Sequence, residues 1–479
     1  MFNLDTFIIE VQMVTSSLGI IWLGAHGSLR RPPSAAPAKP KDGSGKPKDD
    51  EKFTEGLVAS DAIMFPLLAG CVLVGLYYLI EYLQDPNLLN KILRAYLSVM
   101  SLASLSRLCA DAFAILATVV FPTTWADRNG KIYRIDSAKR AQYLLGSDGE
   151  DTAPIEKASP LPGPLSRVGF SQTTNMFLWS VRRFFLLKEW AVRIAFFDET
   201  FRIRPTDVLG IAFAVAIAVA YHLTGWDMIS NLLGAGFSYA AFSMMSPTSF
   251  SIGTLVLAGL FVYDIVMVFY TPYMITVASK IDAPIKLVFQ SPKRKSMLGL
   301  GDIIIPGIFI ALALRFDLYQ FYHKKMKQVP TELVTEVEAP EDPGKVVSVV
   351  EIKDRTVKEP YVDPKGQWGD WLWTTSPRNL LSTPTATSAL AAMAFPKTYF
   401  WSCMIGYAVG MLCTLTMLLV FQHGQPALLY LVPCVTGAAW LTGYLRGELP
   451  AMRTYTEDGS LDTEDVVVET VTPKKLHQS

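Results

Sequence analysis

Residues 250–271 read FSIGTLVLAGLFVYDIVMVFYT, and residues 297–317 read MLGLGDIIIPGIFIALALRFD. A helix crosses the hydrocarbon core of a bilayer with about 20 mostly apolar residues at 1.5 Å rise each. The first stretch meets that length with one charge, Asp264, and the second carries Asp302 just inside its start. Working outward, seven further stretches have the same character: 6–27, 60–82, 95–121, 206–224, 227–246, 398–421 and 425–445. The expected fold class is therefore an all-α polytopic membrane protein with nine transmembrane helices. A soluble protein would give helices of this length polar outer faces, which most of these lack. The first stretch has no basic segment ahead of it and contains Glu10, so it reads as a retained signal-anchor rather than a cleaved signal peptide.

Composition supports this class. The 479 residues are 51% hydrophobic and 18% charged, with a mean hydropathy of +0.29. Lys plus Arg and Asp plus Glu each number 43, which argues against a basic nucleic-acid binder and an acidic disordered chain alike. Position matters more than the total. With nine spans and the N-terminus outside, the inside connections 28–59, 122–205, 247–249, 318–397 and the tail hold 34 of the 43 basic residues. The outside connections hold seven, five of them between Lys280 and Lys295. Basic loops favour the cytosol, so the expected orientation is N-terminus lumenal and C-terminus cytosolic.

The connections differ in kind. Residues 30–52 are rich in Pro, Lys, Asp and Gly and read as disordered. Within 122–205, the stretch 146–163 reads as flexible. Residues 177–197 interleave Trp, Phe and Leu with Arg and Lys, a pattern for an amphipathic helix on the membrane surface or one packed over the bundle. The 318–397 connection carries Trp368, Trp371 and Trp373, residues suited to a membrane interface. All five cysteines (Cys71, Cys109, Cys403, Cys413, Cys434) fall inside spans and read as small apolar packing residues. The five histidines form no paired ligand pattern, which argues against a metal enzyme.

An ionisable group in the hydrocarbon region is costly and points to function by default. Asp111 has Arg107 four residues before it on the same helical face, and an internal ion pair accounts for both. Asp264 and Asp302 have no such local cation. Counted as helix from Pro272 and from Ser296, the two acids lie at a similar depth, roughly 10 Å from the same end of an antiparallel pair. Two carboxyls meeting in low dielectric share one proton. One can then act as a base toward water and the other as an acid toward a carbonyl oxygen, as in aspartic proteases. Proton or cation translocation through the same pair is the competing reading. Gly299 and Gly301 flank Leu300 ahead of Asp302 and allow close backbone approach. Pro306 lacks the N–H that would bond the Asp302 carbonyl in a helix, so the backbone is loosened at the acid. Gln425-Pro426-Ala427-Leu428 opens the last span, with Pro426 suited to a first helical turn. Gly406-x-x-x-Gly410 offers a face to a partner helix or a second copy, though packing within the chain is the simpler reading.

At these residues the chain resembles the signal peptide peptidases, the presenilin-related GxGD intramembrane aspartyl proteases. The motifs are Tyr263-Asp264, Gly299-Leu300-Gly301-Asp302 and Pro426-Ala427-Leu428, and the surrounding 282–289, 297–317 and 425–433 are similar to the endoplasmic-reticulum type. The resemblance is concentrated in 250–320 and 398–447. It implies an aspartic endopeptidase of the endoplasmic reticulum membrane that hydrolyses peptide bonds within type II transmembrane segments, especially remnant signal peptides. Asp264 and Asp302 would be the catalytic pair, supported by Tyr263, Gly299, Leu300, Gly301, Pro426, Ala427 and Leu428, with no metal or organic cofactor. The implied partition is a first helix 1–27, linker 28–59, N-terminal bundle 60–246 with its loop 122–205, catalytic pair 250–317, loop 318–397, a Pro-Ala-Leu helix pair 398–447 and a tail 448–479. Expected partners are transmembrane peptides and the lipid bilayer, with a second copy or quality-control proteins as further candidates and no nucleic acid. The tail ends KKLHQS, which misplaces the lysines for a retrieval signal. Besides transport, a scaffold that escorts substrates without the acids is a third reading.

Overall fold

A computed structural model describes residues 4–37, 55–83, 86–127, 131–145, 151–155, 159–168, 170–194, 199–280, 286–291, 294–338, 346–374, 394–421, 424–461 and 467–468. Every one of the nine apolar stretches forms a helix, because only internal hydrogen bonding satisfies the backbone of so apolar a segment. The helices are α1 (Leu4–Gly27), α2 (Asp61–Leu83), α3 (Pro86–Val120), α4 (Gln172–Leu187), α5 (Pro205–Thr224), α6 (Asp227–Met244), α7 (Phe250–Phe269), α8 (Tyr273–Lys280), α9 (Gly301–His323), α10 (Trp368–Thr374), α11 (Thr398–Phe421), α12 (Leu428–Leu445) and α13 (Leu449–Thr454). Among the described residues, α1, α2, α3, α5, α7, α11 and α12 are long and apolar enough to cross a membrane, seven in all. The protein is a multi-pass membrane protein. The other two apolar helices, α6 and α9, carry more polar groups: Ser230, Asn231 and Ser238 in one, Asp302, Arg315 and Asp317 in the other.

Helix α9, with Arg315 and Asp317 well inside it, is also closely enclosed. From Pro306 to Leu318 every residue of α9 is buried, and α1, α6, α7, α11 and α12 pack around it. Gly307 permits the closest of these approaches, since a Cβ there would stand 2.3 Å from the Phe242 ring of α6. Arg315 and Asp317 of α9 are thereby buried and met by partners. At its far end Arg315, 4% exposed, pairs with Glu457 at 2.8 Å and donates to Ser28 (2.8 Å) and Ser246 (2.6 Å). Glu457 also pairs with Arg30 and accepts from Tyr455 and Ser246. Asp317 accepts from the Tyr399 and Phe400 backbone N–H groups and so caps the start of α11. Burial opposes ionisation of Glu457, but Arg315 and Arg30 outweigh it and hold the carboxyl down at about 2.

Several expected boundaries move. Helix α3 begins at Pro86 rather than 95, so Lys91 lies within it. Helix α9 begins at Gly301 rather than 297 and runs to His323 rather than 317. The cause is an antiparallel hairpin, Lys286–Ser291 with Arg294–Gly299, which draws the residues before Gly301 into extended backbone. The surface helix expected at 177–197 stops at Leu187. The chain then turns into Trp190–Ile194, paired with Glu199–Ile203, where alternating and β-branched side chains favour a strand. The remaining helix has Trp179 and Arg182 buried, so it packs against protein.

The long connections also hold structure. Residues 122–205 contain a four-stranded antiparallel sheet, Thr124–Ala126, Ile132–Asp136, Ala141–Leu145 and Asp151–Ile155. Part of the stretch expected to be flexible, 151–155, is thus a strand, while 146–150 and 156–158 lie outside the described residues. Of 30–52, residues 38–52 lie outside them as well, whereas Ala36 bridges to Pro360. The 318–397 connection includes the hairpin Lys327–Glu338 with Val346–Val357, then α10. There Trp373 donates to the Val119 carbonyl at 2.8 Å and Asp370 accepts the Thr123 N–H at 2.6 Å, stapling α10 to the end of α3. The expected pair Arg107–Asp111 forms at 3.4 Å, and the Tyr239 hydroxyl adds a 2.6 Å bond to Asp111. Gly406 and Gly410 pack inside the chain: a Cβ on either would meet the backbone of α12 at 2.6 Å and 3.0 Å. All five cysteines are free thiols within helices.

Candidate active site

Three helices bring the motif residues together. Helix α7 is capped by Ser249, whose hydroxyl accepts from Ile252 N at 3.2 Å, and places Asp264 in its last turns. Helix α9 places Asp302 in its first turn. Helix α12 starts at Leu428, with Ala427 at the cap position and Pro426 one residue further out. Pro426 therefore precedes the helix instead of opening its first turn. Its carbonyl still accepts the Leu429 N–H at 3.3 Å and so begins the turn.

Asp264 is only 3% exposed, and its Oδ2 accepts the Leu428 backbone N–H at 2.9 Å. The first N–H groups of a helix lack internal partners, and a carboxylate there makes a charge-assisted bond with the helix dipole. The Pro-Ala-Leu segment thus touches an acid of the pair directly, through backbone. Asp302 is half-buried, and its carboxyl lies within electrostatic reach of Asp264. The helical count behind the expected depth does not hold. Residues 294–299 are extended at about 3.3 Å per residue, not helical at 1.5 Å. The hairpin leads directly into the first turn of α9, where Asp302 lies. Asn231 of α6 pins the hairpin by bonding both N–H and C=O of Val288, each at 2.7 Å.

The remaining motif residues divide by contact. Leu300 is buried and packs toward Gly234 of α6. Gly299 ends the hairpin strand, and a Cβ there would stand 3.3 Å from Asp302 Oδ2. Gly301 is exposed, with the nearest atom to such a Cβ at 3.9 Å, so packing does not require glycine at that position. Tyr263 is half-buried and turns toward α2, where it approaches Gly70. Tyr407 of α11 carries no motif and was not singled out in the sequence. Its hydroxyl donates to the Asp302 carbonyl at 3.3 Å, the carbonyl that Pro306 leaves without a helical partner.

The arrangement is two carboxyls at the end of a three-helix junction, one held by backbone and the other beside exposed glycines. Such a pair can share a proton and handle water and a carbonyl together. The family model described as signal peptide peptidase matches residues 48–459. The signal peptide peptidases of Mus musculus and Homo sapiens are each 25% identical over 423 residues, covering 87% of this chain and 78% of theirs. A probable intramembrane protease of Schizosaccharomyces pombe is 31% identical over 255 residues, covering 53% of this chain and 64% of that protein. No solved structure matches the chain. The transport reading of the acids finds no support among these relatives. With the model spanning most of its length and the motif residues converging in space, the chain belongs to the signal peptide peptidase family.

Proposed function

We propose that this intramembrane protease is an aspartic endopeptidase whose catalytic pair is Asp264 and Asp302. The observation that carries the reading is that the Asp302 carboxyl lies within electrostatic reach of Asp264, which is itself bonded to Leu428 N–H at 2.9 Å. Asp264, accepting that bond, carries the negative charge and takes a proton from water. Asp302 holds the shared proton and donates it to the scissile carbonyl oxygen. The resulting tetrahedral diol collapses as the acids exchange roles and the amine leaves protonated. The chemistry requires no metal or organic cofactor. A helical peptide bond is shielded by its own hydrogen bonds, so the substrate unwinds locally, beside the open surface of Gly299 and Gly301. Tyr263, Leu300, Pro426, Ala427 and Leu428 keep the acids and the substrate aligned.

The substrates are type II transmembrane segments, remnant signal peptides above all, in the endoplasmic reticulum membrane. All nine apolar helices span it, with the N-terminus lumenal and the C-terminus cytosolic, as the distribution of Lys and Arg supports. The decisive experiment is cleavage of one labelled signal-peptide-like helix by the wild type and the single variants Asp264→Ala and Asp302→Ala, each checked for folding. Both variants lose activity by at least about 10²-fold. Cleavage at the wild-type rate by either folded variant overturns the assignment. Labelling of residues 28–59 from the lumenal side would overturn the orientation and with it the type II preference.

A further inference from the structure

A proline inside a helix leaves the carbonyl four residues earlier without its usual donor. Here the proline is Pro306 and the carbonyl belongs to Asp302, so the defect falls on the backbone of a proposed catalytic acid. The carbonyl is nonetheless bonded, because the Tyr407 hydroxyl donates to it at 3.3 Å. Tyr407 is fully buried on α11, where a phenolic hydroxyl needs a polar partner. The hydroxyl lies near Ser17 of α1, itself fully buried, whose own hydroxyl donates to the Val14 carbonyl at 3.0 Å. One side chain thus ties α11 to the first turn of α9.

We propose that Tyr407 is a positioning residue for Asp302: its hydroxyl replaces the helix N–H that Pro306 lacks and holds the first turn of α9 so that the Asp302 carboxyl faces Asp264. The proposal rests on the catalytic reading of the two acids. The rest of α9 is fixed by close packing from Pro306 onward, but Asp302 lies before the proline and is half-buried. Its side chain is less enclosed than those that follow, so a hydrogen bond to its own backbone has leverage over it. Tyr407 itself does no chemistry, since it reaches the carbonyl and not the carboxyl.

The proline makes the idea testable by rescue. In Pro306→Ala the backbone N–H returns and can bond the Asp302 carbonyl, so the phenol becomes redundant. The full chain in lipid nanodiscs, with a labelled signal-peptide-like helix, gives the readouts. Tyr407→Phe lowers kcat about tenfold and leaves KM within about twofold, because substrate contacts are unchanged while the acids are misaligned. In the Pro306→Ala background the same substitution changes kcat less than about twofold. Equal losses in both backgrounds, or no loss from Tyr407→Phe in the wild type, overturn the proposal. If Pro306→Ala does not fold, affinity for a hydroxyethylene peptide that mimics the tetrahedral diol decides instead. Tyr407→Phe weakens that probe about tenfold against an unchanged KM, and undiminished binding overturns the proposal. Asp302→Ala in the same assay separates the two levels. Activity there removes the catalytic reading, whereas an inactive Asp302→Ala beside a fully active Tyr407→Phe removes only the role of Tyr407.

Discussion

The two ends of α9 treat buried charge in opposite ways. At the far end, Arg315 and Glu457 form a 2.8 Å ion pair, joined by Arg30, Ser28, Ser246 and Tyr455. At the near end, Asp302 lies within electrostatic reach of Asp264, a group of the same sign. The first arrangement satisfies every desolvated group with an opposite charge or a hydroxyl, and it ties the tail to α1, α9 and the turn after α6. The second sets two acids within reach of each other, an arrangement that suits proton sharing and works against stability when both are ionised. Buried charge that is compensated indicates architecture, and buried charge that is doubled indicates function.

The sharpest way to break this contrast is to neutralise one acid at each end. Asp264→Asn abolishes peptide cleavage while thermal unfolding in detergent stays the same or rises, because a like-charge contact is removed. A lowered melting temperature would place Asp264 with the structural charges. Glu457→Gln does the reverse. It leaves Arg315 buried with neutral acceptors and no opposite charge from residue 457, and costs about 3–5 kcal/mol of stability, read by denaturant unfolding, while the folded fraction keeps its turnover. Loss of turnover without loss of stability would mean that the far end takes part in catalysis.

The pH dependence follows in size. The Glu457 carboxyl is lowered from 4.5 to about 2. Glu448 is likewise lowered from 4.5 to about 2, burial being outweighed by hydrogen bonds from Arg446, Gln320 and Tyr399. A depressed carboxyl stabilises the fold fully above its unfolded value and loses that contribution as pH falls through the folded value. Melting temperature should therefore drop between about pH 4.5 and pH 2, and Glu457→Gln should flatten the drop. The smallest effect belongs to Asp111→Asn. The Arg107 side chain is 62% exposed, and the pair stands at 3.4 Å. Its loss should cost about 1 kcal/mol or less in the same unfolding assay, with activity unchanged.

Much of the site was legible before any fold was known. Two acids in apolar stretches, a glycine pair before one of them and a proline four residues after it were enough to suggest proton sharing. The Arg107–Asp111 pair was equally readable, because four-residue spacing on a helix sets distance by itself. What the sequence hid came from contacts between distant segments. Nothing local marks Tyr407 in 398–421 as the donor to Asp302, or Glu457 in the tail as the partner of Arg315. The hairpin 286–299 was read as helix at its end, since Met297, Leu298 and Leu300 continue an apolar run and period alone does not separate a short strand from a helix.

By itself the sequence determined that this chain lies in a membrane, which stretches become helices and which two acids cannot be ordinary. Those are consequences of solvation, and solvation acts residue by residue along the chain. Only the tertiary structure decided which helix lies at the centre, which charges are compensated and which atom of the Pro-Ala-Leu segment reaches Asp264. These depend on side chains and backbone meeting across more than a hundred residues of sequence, where packing chooses among partners that composition leaves equal.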